Sequence, residues 1–217
     1  MTPKDRYDVS DLPEAQFEPG SRGLVLKNNL GIKRQKEMDL LEAENQVRAT
    51  EELFGIFDRS HRFVADDVRK IHKMWLGGIY PWAGHYRQVN ISKGSFPFPP
   101  SAQVPRLMSE LESGPLREFT PCSSDSVDKI IAALAIVHTE LVLVHPFRDG
   151  NGRAARMLAV LMGSQAGLPP LDFAGIRGQR KEAYFAAVRA GLKRDYRPME
   201  QVFRKVVTRT LRKAGKG

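Results

Sequence analysis

The sequence predicts a mostly α domain with one β-hairpin. Apolar residues recur at helical spacing along most of the chain, one stretch of alternating aromatic and β-branched residues interrupts them, and internal repeats and low-complexity tracts are absent. At 217 residues and 41% hydrophobic composition, the chain can bury one sizeable core, so a single domain is expected. Residues 1–35 are rich in Pro, Gly and charge and read as an extended N-terminal arm. The domain then covers 36–213, with a core at about 54–204, and 214–217 form a basic tail.

Regular structure is predicted to begin near Lys36, where Met38, Leu41, Val47, Leu53, Phe54 and Phe57 fall at roughly helical spacing and Gly55 lies near the end. A second helix is predicted over Ala65 to Leu76, with Val68, Ile71, Met74 and Trp75 as its apolar set. The texture changes at "GGIYPWAGHYRQVNISKGSFPFPP", whose Gly and Pro punctuation predicts a hairpin or flap between Gly84 and Phe98. Helical spacing returns at Ala102 to Leu111 and at Ser126 to Val144, the latter striped by Ile130, Ile131, Leu134, Val137, Leu141 and Val144. Pro146 disfavours helical geometry at His145 and turns the chain out of that helix. Another helix runs from Asn151 or Gly152 to Ala166, stopped by Gly167 and Pro169, and two more are predicted at Lys181 to Leu192 and Pro198 to Arg212.

The one cysteine, Cys122, excludes an intramolecular disulfide, and no segment offers eighteen uninterrupted apolar residues or a secretory signal. A cytoplasmic protein without a membrane span is therefore expected. The formal charge of +9 favours anionic partners, and its densest run is "RAGLKRDYRPMEQVFRKVVTRTLRKAGKG". That run reads either as a solvated basic helix and tail or as a nucleic-acid contact, and no nucleic-acid recognition motif accompanies it.

Chemistry concentrates in "HPFRDGNGRAARML". Gly150 and Gly152 permit backbone geometry in which successive N–H groups converge on one anion, and the helix that starts there adds its positive dipole end. Arg153 and Arg156, three apart on the first turn, can both reach a polyphosphate. Asp149 suits a hard cation bridging phosphate oxygens, most naturally Mg²⁺; its plainer alternatives are a helix N-cap or a pair with Arg148. His145 is the group that can take a proton from an attacking hydroxyl near neutral pH. The set reads as a phosphoryl or nucleotidyl transfer site. No GxxxxGK[ST], GxGxxG or HExxH motif competes; His138 reads as a core-edge histidine, and His61, His72 and His85 take structural or surface roles.

These residues carry a resemblance: "HPFRDGNGRAAR" resembles the signature of Fic domain proteins, HPFx[DE]GNGRxxR, at every specified position. The upstream helix, the "YPWAGHYR" stretch, which fits the family's YPWAGxxR through Arg87, and the flap are similar as well, and the likeness covers about Phe54 to Arg204. It implies a helical core with one β-hairpin flap and transfer of AMP from ATP to a Ser, Thr or Tyr hydroxyl of a target protein. On that resemblance His145 is the base, Asp149 holds Mg²⁺ between the α- and β-phosphates, Gly150, Asn151 and Gly152 line the anion hole, and Arg153 and Arg156 hold the β- and γ-phosphates. Phe147 anchors the loop, and the flap at Lys93, Gly94, Ser95 and Phe96 clamps the target by backbone pairing. Tyr184 matches a position near the adenine, or is a plain core tyrosine. Relatives that transfer phosphate or phosphocholine commonly carry alanine at the position of Gly150, so its glycine favours AMP transfer, with another nucleotide-derived transfer, of UMP or phosphate, as the alternative. Many relatives are restrained by a glutamate in [ST]xxxE[GN] that pairs with the second arginine. Here "LLEAEN" offers Glu44 followed by Asn45, but Leu40 stands where Ser or Thr belongs; internal inhibition by Glu44 and a separate antitoxin, as in bacterial toxins, are both open.

Overall fold

The computed structural model describes residues 12–176 and 178–215. Its elements run α1 (Gln35–Ile56), α2 (Ala65–Leu76), β1 (Ser92–Lys93), β2 (Phe96–Pro97), α3 (Val104–Leu111), the short α4 (Arg117–Phe119), α5 (Val127–Val144), α6 (Asn151–Gln165), α7 (Gln179–Ala190) and α8 (Arg197–Ala214). Among the described residues no helix is long and apolar enough to cross a membrane.

The fold is built around α5, which packs against α3, α6, α7 and α8. Every residue of its predicted stripe, from Ile130 to Val144, is buried. A helix buried on most of its circumference must be apolar nearly all round, and α5 is. Helix α1 departs from the prediction. Its buried stripe is Met38, Glu42, Ala49 and Leu53, while Val47 is 61% exposed. The inward face is thus rotated from the apolar set read in sequence, because one inward position is filled by a carboxylate.

Two further stretches differ from their predicted form. Periodicity ends a helix at Leu111, yet the chain continues through a π turn, Glu112–Leu116, into α4, carried by the fully buried Leu116. Glu112 there accepts the backbone N–H of Ala65 at 2.8 Å and so caps the start of α2. The hairpin is also shorter than predicted. Ser92↔Pro97 and Lys93↔Phe96 pair, antiparallel, around a turn at Gly94, and Phe98 N–H donates to the Ile91 carbonyl (3.2 Å) just beyond them. Upstream of it, Arg87 takes over the role of a strand partner: buried to 2% exposure, it donates from Nε to the His145 carbonyl (2.8 Å), from Nη1 to Val89 (2.9 Å) and from Nη2 to Pro99 (2.6 Å). One guanidinium therefore ties the base of the flap to the loop after α5.

Residues 12–34 lie against this frame. Glu14 is buried, its side chain accepting the Gln88 N–H (2.6 Å) and its carbonyl accepting Arg148 Nε (2.7 Å), and Asn29 N–H donates to Ile79 (2.8 Å).

Candidate active site

The turn between α5 and α6 is held from both ends. His145 caps α5 in the left-handed region (φ 51°), its N–H still bonded to Leu141 (3.1 Å), so the side chain leaves the helix axis where Pro146 forbids another turn. Phe147, with no exposure, stacks on the His72 ring at 3.8 Å and pins the turn into the core. The Asn151 side chain closes it as a loop, accepting Phe147 N–H and donating to Phe147 C=O, both at 2.8 Å. Both ends of that amide are thus engaged with the Phe147 peptide, which fixes the side chain in place.

His72 completes the support, although it belongs to α2. Its Nδ1 accepts the Gly84 N–H (2.9 Å), so the hydrogen sits on Nε2 and is donated to the Asp149 carbonyl (3.1 Å). Desolvation holds its pKa down, to about 4, and keeps this tautomer neutral. Gly150 then turns at φ +80° to start α6, and a Cβ there would lie 2.8 Å from the Trp75 ring; Gly152, by contrast, has open space around it. Only the first glycine is required by the backbone and by close packing.

The turn borders a cavity of about 820 Å³ that also touches the flap and α7. His145, Asp149, Gly150, Asn151, Gly152, Arg153 and Arg156 all line it, as do Lys93, Gly94, Phe96 and Tyr184. His145 Nδ1 donates to the Val142 carbonyl at 2.9 Å, which leaves Nε2 as the proton acceptor. Burial lowers its pKa to about 4, so the ring is neutral at pH 7. Phe98, from the flap, stacks on it at 3.5 Å. Asp149 is a half-exposed carboxylate of the cavity, as Glu182 of α7 is an exposed one; its side chain is 54% exposed and 3.4 Å from Arg153 Nη2, and it neither caps α6 nor meets Arg148. Arg156 makes no hydrogen bond or ion pair with any described residue, and burial lowers its pKa.

Three predicted residues have surroundings that the sequence did not specify. Tyr184 is buried and hydrogen-bonded to His138 Nε2 (2.8 Å), so its hydroxyl serves the core while its ring borders the cavity. Lys93 reaches across the cavity to lie 4.0 Å over the Phe185 ring of α7. Glu44 sits on the solvent face of α1; the glutamate that meets the site is Glu42, buried and ion-paired with Arg153 rather than Arg156. Its signal in the sequence was phase: Glu42 stands four after Met38 and seven before Ala49, on the buried stripe. His72 and Arg87 were likewise missed as parts of the site, their partners being distant in the chain.

Comparison with known proteins agrees with this geometry. The family model described as "Fic/DOC family" matches residues 62–162, which run from α2 through most of α6. The chain is 31% identical over 162 residues, 75% of its length, to the protein adenylyltransferase VbhT of Bartonella schoenbuchensis, of which it spans about a third (33%). The N-terminal Fic domain of a VirB-translocated Bep effector protein of Bartonella quintana, solved with bound ADP, superposes with a TM-score of 0.66 at 27% identity, covering 83% of this chain and 89% of that one. The "Probable protein adenylyltransferase Fic" of Escherichia coli K12 is 30% identical over 190 residues, 85% of this chain and 88% of that protein. Matched over nearly the whole of that relative, and with the loop, flap and helices in the family's arrangement, the chain belongs to the Fic/DOC family.

Proposed function

We propose that the chain is a protein adenylyltransferase, moving AMP from ATP to a Ser, Thr or Tyr hydroxyl of a target protein. The observation that carries this reading is Arg156, a guanidinium largely withdrawn from water yet without an anionic partner, beside a glycine turn at a helix start. Such a charge calls for an anion, and the cavity is large enough for a nucleotide. The names of the relatives above and the ADP bound in the Bartonella quintana domain support the same substrate class.

In this reading His145 Nε2 takes the proton of the target hydroxyl as its oxygen attacks the α-phosphorus; the bond from that phosphorus to the α–β bridging oxygen breaks, and pyrophosphate leaves. The N–H groups of the Gly150–Gly152 turn and the forks of Arg153 and Arg156 stabilise the charge that grows on the leaving group. Asp149, a half-exposed carboxylate beside Arg153 in a lining where Lys93, Arg153, Arg156, Lys181 and Arg189 outnumber Asp149 and Glu182, would hold a Mg²⁺ ion, and the described residues contain no cluster of three or more His, Cys, Asp or Glu that would hold a metal without substrate. Bound there, the ion would neutralise phosphate charge. The exposed residues Ser92 to Ser95 are free to pair with a target segment.

Arg156 also borders a second cavity of about 480 Å³ between α1 and α6. A separate inhibitor that presented a carboxylate in it would meet that guanidinium, which supports restraint by a partner over restraint by the outward-facing Glu44. The basic run of α8 lends little to a nucleic-acid role, since Arg204 is paired with Asp128 and both Arg209 and Lys213 with Asp172. The test is incubation with α-labelled ATP, Mg²⁺ and cell lysate, with His145→Asn as control, asparagine being tolerant of the left-handed backbone at that position. His145-dependent protein labelling is expected; its absence across wild type and a nucleotide panel would refute the reading.

A further inference from the structure

Arg153 and Arg156 leave the same turn of α6, yet their surroundings are opposite. Arg153 is clasped. Its Nη1 donates to Glu42 Oε2, its guanidinium lies 4.6 Å over the Trp75 ring, and Nη2 reaches toward Asp149 at 3.4 Å. Glu42 is itself fixed: Tyr80 OH donates to its other oxygen (2.8 Å), Trp75 Nε1 donates to its backbone carbonyl (2.8 Å), and its side chain is 4% exposed.

The position of this carboxylate decides what it can do. Glu42, Tyr80 and Trp75 do not line the main cavity, whereas Arg153 does. The glutamate therefore holds the guanidinium from behind, and takes none of the space that a polyphosphate needs. With both carboxylate oxygens engaged, it cannot swing forward without breaking two hydrogen bonds in a buried setting, which is costly. A long arginine side chain otherwise samples many rotamers, and a fork already held on one edge gives up less freedom when it binds phosphate on the other.

We propose that Glu42, braced by Tyr80 and Trp75, is a positioning residue that orients Arg153 toward the β–γ end of a nucleoside triphosphate. The role rests on the nucleotide reading of the cavity given above. It implies a specific division: ligands with a polyphosphate feel the loss of Glu42, and AMP does not.

The experiment measures binding of a non-hydrolysable ATP analogue and of AMP to the full chain by calorimetry, for wild type, Glu42→Gln, Tyr80→Phe and Arg156→Ala. Glu42→Gln keeps the shape of the side chain and removes the charge; the expected result is about tenfold weaker analogue binding with AMP affinity unchanged. Tyr80→Phe keeps the carboxylate but loosens it, with an expected loss of about threefold for the analogue alone, and it decides the matter if Glu42→Gln does not fold. Unchanged or tighter analogue binding in a folded Glu42→Gln protein overturns the proposal, and so does an equal loss for the analogue and AMP, which is what general loosening of the fold produces. Arg156→Ala separates the two readings: if it and wild type bind the analogue equally, or neither binds, the nucleotide site itself is wrong, whereas a clear loss in Arg156→Ala beside a neutral Glu42→Gln discards only the role of Glu42.

Discussion

The turn from His145 to Asn151 and the flap from Ser92 to Phe98 face each other across one cavity, and they are built on opposite plans. In the turn nearly every polar group is engaged: Asn151 closes it, His72 holds the Asp149 carbonyl, Arg87 holds those of His145 and, through its N–H, Pro146 (2.8 Å), and Phe147 has no exposure. The flap has two residues per strand, is mostly exposed, and touches the opposite wall through single contacts, Lys93 over Phe185 and Phe98 on His145. On the proposed function, the groups that would meet a reacting atom sit on the closely held side. The flap residues proposed to pair with a target sit on the sparsely held one.

If that contrast holds, disturbance of the turn is severe and disturbance of the flap mild. The largest effect is expected for His145→Asn, which removes the proton acceptor without backbone strain: protein labelling should fall about 10²- to 10⁴-fold, read by autoradiography. Acid comes next, acting on the turn through His145, on its support through His72 and on the core around α5 through His138. His72 and His145, with pKa values lowered by burial to about 4, and His138, lowered to about 3, are neutral when folded but bind protons when unfolded below about pH 6.5. The unfolded state thus holds more protons between pH 6.5 and 4, and stability falls as pH drops through that window, by about 2 kcal/mol per histidine at pH 5; urea titrations at pH 7 and 5 measure it. Substitution of the two glycines sharpens the contrast within the turn. Gly150→Ala places a Cβ 2.8 Å from Trp75 at a positive φ and should cost about 2–4 kcal/mol, whereas Gly152→Ala meets nothing within 4 Å and should leave stability unchanged or raise it by up to about 1 kcal/mol, both read by thermal unfolding. The smallest effect is expected in the flap, where Ser95→Ala should alter the KM for target by less than about threefold and leave stability within about 0.5 kcal/mol; a larger loss would show that the flap reads side chains.

Much of this was legible before any coordinates. The helix over Ala65 to Leu76 and the stripe from Ile130 to Val144 follow from repeats of apolar residues at a period of 3.6, which only a helix converts into one buried face. The site loop was legible for a related reason: His145, Asp149, Gly150, Arg153 and Arg156 lie within twelve residues, so one turn and the start of one helix suffice to bring them to one cavity. Local chemistry at fixed spacing survives in a linear text.

The partners of those residues did not survive in it. Glu42 meets Arg153 from 111 positions away, Arg87 reaches His145 across 58, and His72 reaches Asp149 across 77. Each of these is a polar side chain whose meaning depends on which helix packs beside it, and a single sequence does not state that. The chain by itself determined the helices, the glycine turn and the charges offered to an anion, because these depend on neighbours within a turn or two. Tertiary packing alone decided that the glutamate behind Arg153 is Glu42 and not Glu44, since two residues along a helix is a rotation of about 200° and only burial distinguishes the face toward the core from the face toward water.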